Sequence, residues 1–158
     1  MTALYYSFKP YKSDEFICKA LKKFSGEDKD FVIIREKNRK PYVNEKKLYF
    51  SLSHTEGLTV CAVSDCEIGI DAEKIRKIKN KEKIFARFLK KEAEQNISDA
   101  DFLFDWTRFE SIVKYNGGTI LNPKELTNDK VNIIAVQMDG YIISVCSEDN
   151  KIEREQII

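Results

Sequence analysis

Two carboxylates lie one residue apart in the stretch EIGIDAEK, residues 67–74, directly after the apolar run LTVCAV. Because a β-strand has a side-chain period of two, Glu67, Gly69, Asp71 and Glu73 should share one face, with apolar side chains on the other. The pattern fits a half-buried strand with a solvated acidic face. It also fits a hard-cation site, because Mg²⁺ prefers oxygen ligands and takes only a few carboxylates. The glycine would leave room for another group to approach.

A second pair of reactive side chains lies on the predicted helix DADFLFDWTRFESIVKYN. Glu110 and Lys114 are four residues apart, and an exposed pair of this kind would stabilise the helix by about 0.2–0.5 kcal/mol. The large apolar residues at helical spacing are Phe102, Trp106, Phe109 and Val113. We expect them to bury one side of the helix, which would hold Glu110 at the edge of the core on a rigid element.

His54, the single histidine, ends the predicted strand YFSLSH. It fits either a structurally satisfied residue or a phosphate contact or proton carrier with a near-neutral pKa. One histidine and no CxxC pair argue against a zinc site, and the sequence has no P-loop or GxGxxG. We expect the four cysteines to be buried free thiols rather than to form a Cys61–Cys66 disulfide.

The basic segment KIRKIKNKEK, residues 74–83, follows the two carboxylates. It fits a solvated connection or a surface that attracts an acidic partner. The whole chain is nearly neutral, at net charge +1, which argues against a general nucleic-acid binder. The first residues, MTALYYSFKP, lack a basic start followed by a long apolar stretch, and no apolar run reaches about 18 residues. We therefore expect no signal peptide, no membrane association and a cytoplasmic location.

The strands and helices that the sequence predicts around these residues indicate an α+β fold. The chain has 158 residues, which suits one domain or two small halves that share a core. The predicted strands are ALYYSF, DFVIIRE, KLYFSLSH, LTVCAVS, CEIGIDAE and the hairpin VNIIAVQM–DG–YIISVCSE. The first helix, SDEFICKALKKFSG, should be capped by Ser13 and ended by Gly26. A further helix should run through IFARFLKKEAEQ with Ile84, Phe85, Phe88 and Leu89 facing inward.

The segments GLTVCAVSD and GYIISVCSE are weakly similar to each other, and each ends a block of strands that follows a helix. This likeness predicts two similar α+β halves, residues 1–66 and 67–158. We expect them to pack as one compact unit with pseudo-two-fold symmetry and to form the active site in the cleft between them.

Four motifs carry a family likeness in their order and spacing: SLSH, IGIDAEK, ARFLKKEAEQ and WTRFESIVKYNGG. Together they resemble the signatures of 4'-phosphopantetheinyl transferases, in particular the two-halved group that activates surfactin synthetase. The likeness covers about residues 39–118. It implies transfer of the phosphopantetheine arm of coenzyme A to a serine of an acyl or peptidyl carrier protein. The reaction uses Mg²⁺ and releases adenosine 3',5'-bisphosphate.

The same resemblance implies roles for individual residues. The metal ligands would be Asp71, Glu73 and Glu110. Glu110 would also be the base for the carrier serine, with Lys114 and His54 as the other catalytic residues. Contacts to coenzyme A would come from Lys40, His54 and Lys114, and Lys19 is a further candidate. We expect a monomeric enzyme.

Two positions depart from the family pattern. Phe109 stands where the family has a lysine, and Ala72 stands where a larger aliphatic residue is common. We expect Phe109 to turn toward the core, which would remove one phosphate contact and slow the enzyme. Two alternatives remain at this point: a carrier-protein-binding or coenzyme A-binding module with impaired catalysis, and a protein in which the acidic strand is only structural.

Overall fold

The computed structural model describes residues 1–89 and 96–158 and has the mixed α+β fold expected from the sequence. Three α-helices are described: α1 (Ser13–Ser25), α2 (Lys81–Ile84), which a π-helical turn at Phe85–Leu89 continues, and α3 (Asp99–Asn116). The strands are β1 (Thr2–Ser7), β2 (Ile33–Ile34), β3 (Tyr42–Val43), β4 (Tyr49–Thr55), β5 (Leu58–Ser64), β6 (Ile68–Lys74), β7 (Asn132–Met138), β8 (Tyr141–Ser147) and β9 (Glu153–Gln156).

The first sheet has the order β4-β5-β1-β9 and is covered by α1. The strand β5 pairs antiparallel with both β1 and β4, so its apolar sequence on both faces correctly indicates a central strand. Helix α1 places Phe16, Ile17 and Leu21 in the core at 1% exposure or less. Its bulky apolar stripe is the reason it forms where the sequence predicts.

The ends of α1 differ in how well the sequence predicts them. Gly26 ends the helix in the left-handed conformation, with φ of 70°, as predicted. The prediction that Ser13 caps the other end is wrong, because Ser13 is already helical. Lys12 holds the cap position with extended backbone and no side-chain capping bond. Acidic side chains at Asp14 and Glu15 instead complement the helix dipole in the first turn.

The second sheet has the order β6-β8-β7 and carries α3 on one face. The hairpin of β7 and β8 is confirmed. Its two turn residues, Asp139 and Gly140, have φ of 48° and 82°, the positive values that a type I' hairpin turn requires.

The two sheets meet along β4 and β6, where serine and threonine side chains replace a backbone ladder. The Ile70 N–H donates to Ser51 Oγ at 3.1 Å, and the Ala72 N–H donates to Ser53 Oγ at 3.2 Å. The pattern repeats two residues further along both strands, where the Lys74 N–H donates to Thr55 Oγ1 at 3.4 Å. We call this series of contacts the hydroxyl ladder.

Some predicted elements are shorter than expected, and one strand was not predicted. The stretch DFVIIRE forms only the two-residue strand β2, paired with β3. The prediction for residues 90–95, which include the second half of ARFLKKEAEQ, lies outside the described residues. In the described part of that helix Phe85 is buried, and the other three predicted inward residues are half-buried. Strand β9 pairs parallel with β1, so residues 153–156 lie on the first sheet.

All four cysteines lie in the described ranges and are free thiols, as expected. Cys61 and Cys146 are buried, whereas Cys18 and Cys66 are half-buried. None of the helices in the described parts of the chain is long and apolar enough to cross a membrane.

Candidate functional site

Gly69 lets helix α3 lie directly on strand β6. A Cβ added at this glycine would stand 2.0 Å from the Ser111 carbonyl oxygen and 2.5 Å from the Tyr115 nitrogen. No side chain fits such a gap, so the group for which Gly69 leaves room is the backbone of the protein's own helix.

The inner face of α3 therefore differs from the predicted one. Thr107 and Ser111 are fully buried against the sheet, and the Thr107 hydroxyl lies 2.8 Å from that of Ser144. Phe102 and Val113 are buried as expected, but Trp106 and Phe109 are only half-buried. Small side chains face β6 because the helix comes too close for large ones.

This contact brings Asp71 of β6 together with Lys114 of α3. The prediction that Asp71 lies on an open strand face is wrong, because α3 and β4 cover it and leave it only 4% exposed. Its Oδ1 accepts hydrogen bonds from Lys114 Nζ at 2.8 Å and from Ser53 Oγ at 3.0 Å. Its Oδ2 is buried and has no hydrogen-bond partner in the described part of the chain when the neighbouring carboxyl groups are ionised; a protonated Glu110 can donate a hydrogen bond to the Asp71 carboxylate. Lys114 thus pairs with Asp71, and the predicted Glu110–Lys114 pair is not among the ion pairs observed.

The other two predicted carboxylates interact with Asp71 through their charges. Burial, together with the negative charge of Asp71 and a hydrogen bond to it, raises the pKa of Glu110 to about 7, and the charge of Lys114 acts in the opposite direction. Burial also raises the pKa of Glu73, with Asp71 adding to the shift and Arg76 opposing it. Arg76 Nη1 donates to Glu73 Oε2 at 3.1 Å. The three carboxylates, which we call the acidic cluster, therefore carry a repulsion that a bound cation would relieve.

The chemistry of the acidic cluster fits Mg²⁺. Within residues 1–89 and 96–158, no three histidine, cysteine or acidic side chains form a ready-made metal-ligand group. Mg²⁺ does not need one, because it usually binds through one or two carboxylates and completes its shell with water and substrate phosphates. A buried Asp71 Oδ2 without a partner is the kind of oxygen such an ion would take.

A cavity of about 440 Å³ lies beside the acidic cluster. Its basic lining residues are Arg35, Arg39, Lys40, His54 and Lys114. None of the described residues that line it is acidic. Lys114 belongs to both places, since it lines the cavity and donates to Asp71. We call this space the basic cavity. Its charge suits a ligand with several phosphates.

Lys40 and His54 are both found in the basic cavity, where the resemblance implies contacts to coenzyme A. Lys40 donates to Glu67 and, at 2.7 Å, to the Ile68 carbonyl oxygen. Burial lowers the pKa of Lys40, while the charge of Glu67 acts in the opposite direction. His54 is exposed at the end of β4.

Lys19 is not brought to this site. It lies on the outer side of α1, 3.3 Å from the Tyr11 hydroxyl and 3.5 Å from a Glu15 carboxylate oxygen. It lines a different surface pocket, together with residues of β9. Lys19 is therefore not among the described residues that line the basic cavity.

Phe109 also lies away from the basic cavity. Its ring packs 5.8 Å from that of Trp106, and it lines a separate groove with Phe88, Ile112 and Ile133. The prediction that Phe109 turns toward the core is met only in part: it points away from the basic cavity, but its side chain is half-buried and lines this groove.

Sequence reasoning missed three polar residues of the site. Arg35 and Arg39 line the basic cavity from the loop REKNRKPY, and each has a carboxylate partner, Asp14 at 2.5 Å and Glu36 at 2.9 Å. Ser53 supports Asp71. The basic composition of the loop was a visible signal, and so was the alternation of Ser51 and Ser53 along β4.

Comparison with known proteins gives no assignment: no protein-family model and no curated protein matches the chain. The site itself combines a buried carboxylate, an acid whose pKa lies near neutrality and a basic cavity. These features meet at Lys114. Such an arrangement is chemically able to bind a divalent cation and a polyanion side by side.

Proposed function

We propose that the chain is a Mg²⁺-dependent 4'-phosphopantetheinyl transferase that modifies a serine of an acyl or peptidyl carrier protein. One observation carries the proposal: Asp71 has a buried oxygen without a hydrogen-bond partner among the described residues, next to a cavity lined by basic side chains. The motif order in the sequence supplies the choice among phosphoryl-transfer reactions, since the geometry alone fits several.

The proposed enzyme has two similar halves, residues 1–66 and 67–158, related by a pseudo-two-fold axis, with the active site in the cleft between them. Strand β9 of the second half is an addition to this arrangement, because it pairs with β1 of the first half. Two facts support this arrangement. Each of the two larger sheets is covered by a long helix. The basic cavity takes His54 from β4 and Lys114 from α3.

Coenzyme A would bind in the basic cavity, where Lys40, His54 and Lys114 offer donors to its phosphates. Bound Mg²⁺, held by one or two of the carboxylates Asp71, Glu73 and Glu110 at a time, would supply neutralisation of the charge on the pyrophosphate oxygens. The partner would be a carrier protein that presents its serine hydroxyl to the same cavity.

The reaction is a displacement at the phosphorus that carries the pantetheine arm. The serine oxygen forms a bond to this phosphorus, and the bond to the bridging pyrophosphate oxygen breaks, which releases adenosine 3',5'-bisphosphate. Glu110 accepts the hydroxyl proton as the general base. Lys114 pairs with Asp71 and brings positive charge to the edge of the cavity.

The test is mass spectrometry of apo carrier proteins after incubation with coenzyme A, Mg²⁺ and the full chain. We expect the mass increment of phosphopantetheine on the carrier serine. Asp71→Asn should lower the rate by at least about a hundredfold, as loss of a key electrostatic group does. Glu153→Gln, an exposed acid on β9, is the matched control and should keep the wild-type rate.

Two results would contradict the proposal. If Asp71→Asn keeps a near-normal Mg²⁺-dependent rate, the metal assignment is wrong. If coenzyme A and Mg²⁺ bind but no carrier in a broad panel is modified, the chain is a binding module with impaired catalysis.

A further inference from the structure

Ser53 makes two hydrogen bonds whose directions are fixed by chemistry. Its Oγ accepts from the Ala72 N–H at 3.2 Å and lies 3.0 Å from Asp71 Oδ1. A backbone N–H can only donate, so the hydroxyl accepts there and its single proton is left for the carboxylate. Ser53 is 6% exposed, so water does not compete freely for that proton.

The second of these bonds is not needed to join the sheets. Ser51 and Thr55 make the equivalent contacts of the hydroxyl ladder to Ile70 and Lys74. Among the described residues, neither hydroxyl donates to a carboxylate. The bond from Ser53 to Asp71 is therefore an addition to the ladder at one position.

Both donors to Asp71 act on the same oxygen. Lys114 Nζ and Ser53 Oγ contact Oδ1, whereas Oδ2 has no hydrogen-bond partner in the described ranges. With Lys114 alone, the carboxylate could turn and offer either oxygen to the ammonium group. A hydroxyl fixed by the Ala72 N–H removes this freedom, because it stands on one side of the carboxylate only.

We infer that Ser53 is a positioning residue that holds the Asp71 carboxylate in the orientation which leaves Oδ2 free for a divalent cation. The inference rests on the proposed function, because it needs the metal site. It adds a residue that acts on the metal only through Asp71. Partners that orient a metal ligand commonly change metal affinity by 10–100-fold when they are removed.

The experiment measures Mn²⁺ affinity of the full chain by electron paramagnetic resonance, with melting temperatures recorded without metal. The variants are Ser53→Ala and, as control, Ser51→Ala. Each loses one contact of the hydroxyl ladder, but only Ser53→Ala loses the donor to Asp71. We expect Ser53→Ala to melt at a lower temperature than Ser51→Ala, because it also loses a hydrogen bond to a charged group. We expect an affinity about tenfold weaker for Ser53→Ala alone.

Ser53→Cys keeps the inference testable if Ser53→Ala does not fold. Its thiol fills nearly the same space but is a weak donor, so its Mn²⁺ affinity should also fall. If the folded Ser53 variants bind Mn²⁺ within twofold of Ser51→Ala, the inference is wrong and the proposed function stands. If the wild-type chain binds no Mn²⁺, the metal site and the inference fail together.

Discussion

The two long helices rest on their sheets in different ways. Helix α1 meets the first sheet through the bulky, fully buried side chains of Phe16, Ile17 and Leu21. Helix α3 also buries large residues, but it meets β6 through Gly69 and Ser111, backbone against backbone. A bulky interface supplies burial free energy, whereas a close backbone contact fixes distances. The chain thus uses one helix mainly for stability and the other mainly to place charged groups.

Gly69→Ala should have the largest combined effect, because it acts on the close contact itself and so changes both stability and metal binding. The added Cβ would stand 2.0 Å from a backbone oxygen of α3, and backbone cannot swing aside as a side chain can. We expect the free energy of unfolding to fall by about 3 kcal/mol, the upper end for overpacking, and Mn²⁺ binding to be lost. Urea unfolding measures the first, and electron paramagnetic resonance measures the second. A loss below about 1 kcal/mol would mean that the contact does not constrain α3.

Leu21→Ala tests the other half of the comparison. Leu21 belongs to α1 and is fully buried against the first sheet. Its truncation should therefore lower the free energy of unfolding by about 2–5 kcal/mol. It lies outside the acidic cluster and the basic cavity, so the folded variant should bind Mn²⁺ as the wild type does. Denaturant unfolding and a metal titration at low temperature check both outcomes. If metal affinity falls as steeply as stability, then the proposal that α1 serves mainly for stability and α3 mainly for placing charged groups is wrong.

The pH dependence of the metal-free protein should report on the α3 contact. The pKa of Glu110 is about 7, above its ordinary value of 4.5. Between these values the folded state keeps a proton that the unfolded state has released, so the free energy of unfolding falls as pH rises and levels off above about 7. Melting temperatures in a chelator should show this decline.

Glu110→Gln is the control for this pH effect and should flatten the decline, because the side chain no longer ionises. Mg²⁺ should stabilise the wild type more at about pH 8 than at about pH 5, since it binds the ionised carboxylates. An unchanged pH profile in Glu110→Gln would assign the decline to another group.

The smallest effect should come from the basic segment, residues 74–83. Part of its charge is already paired, with Lys74 to Glu56 and Lys81 to Asp99. Lys79 is exposed, and Lys79→Glu should weaken the apparent affinity for an acidic carrier protein by a few-fold at low salt, with the difference fading as salt rises. Lys46→Glu makes the same charge change at an exposed position between β3 and β4, and it should have no such effect. Equal losses in both variants would remove this role for the segment.

The sequence predicts α1 and the β7–β8 hairpin well because their signals are local. A bulky apolar stripe with a glycine end, and a DG pair between apolar runs, each specify one structure over a short stretch. The inner face of α3 could not be predicted this way. Thr107 and Ser111 are buried because a glycine some 40 residues earlier lets the helix approach, and helical periodicity alone favours the larger residues.

The residues of the candidate site also fall into those that the sequence predicts and those that it does not. Strand periodicity correctly places Asp71 and Glu73 near each other on β6, and the family resemblance supplies Glu110 and Lys114. The burial of Asp71, its bond from Ser53 and the approach of Arg35 depend on how separate elements meet. No pattern within a single element of the sequence contains that information.

The short strand β9 has a consequence for the behaviour of the protein at high concentration. It forms one edge of the first sheet, and its residues, EREQ, are all exposed. An edge strand offers unpaired backbone groups to other copies of a chain, and charged side chains and short length are common defences against such pairing. A second copy that added a strand here would have to bring its own chain against Glu153, Arg154 and Glu155. This edge is therefore protected against growth of the sheet into an aggregate.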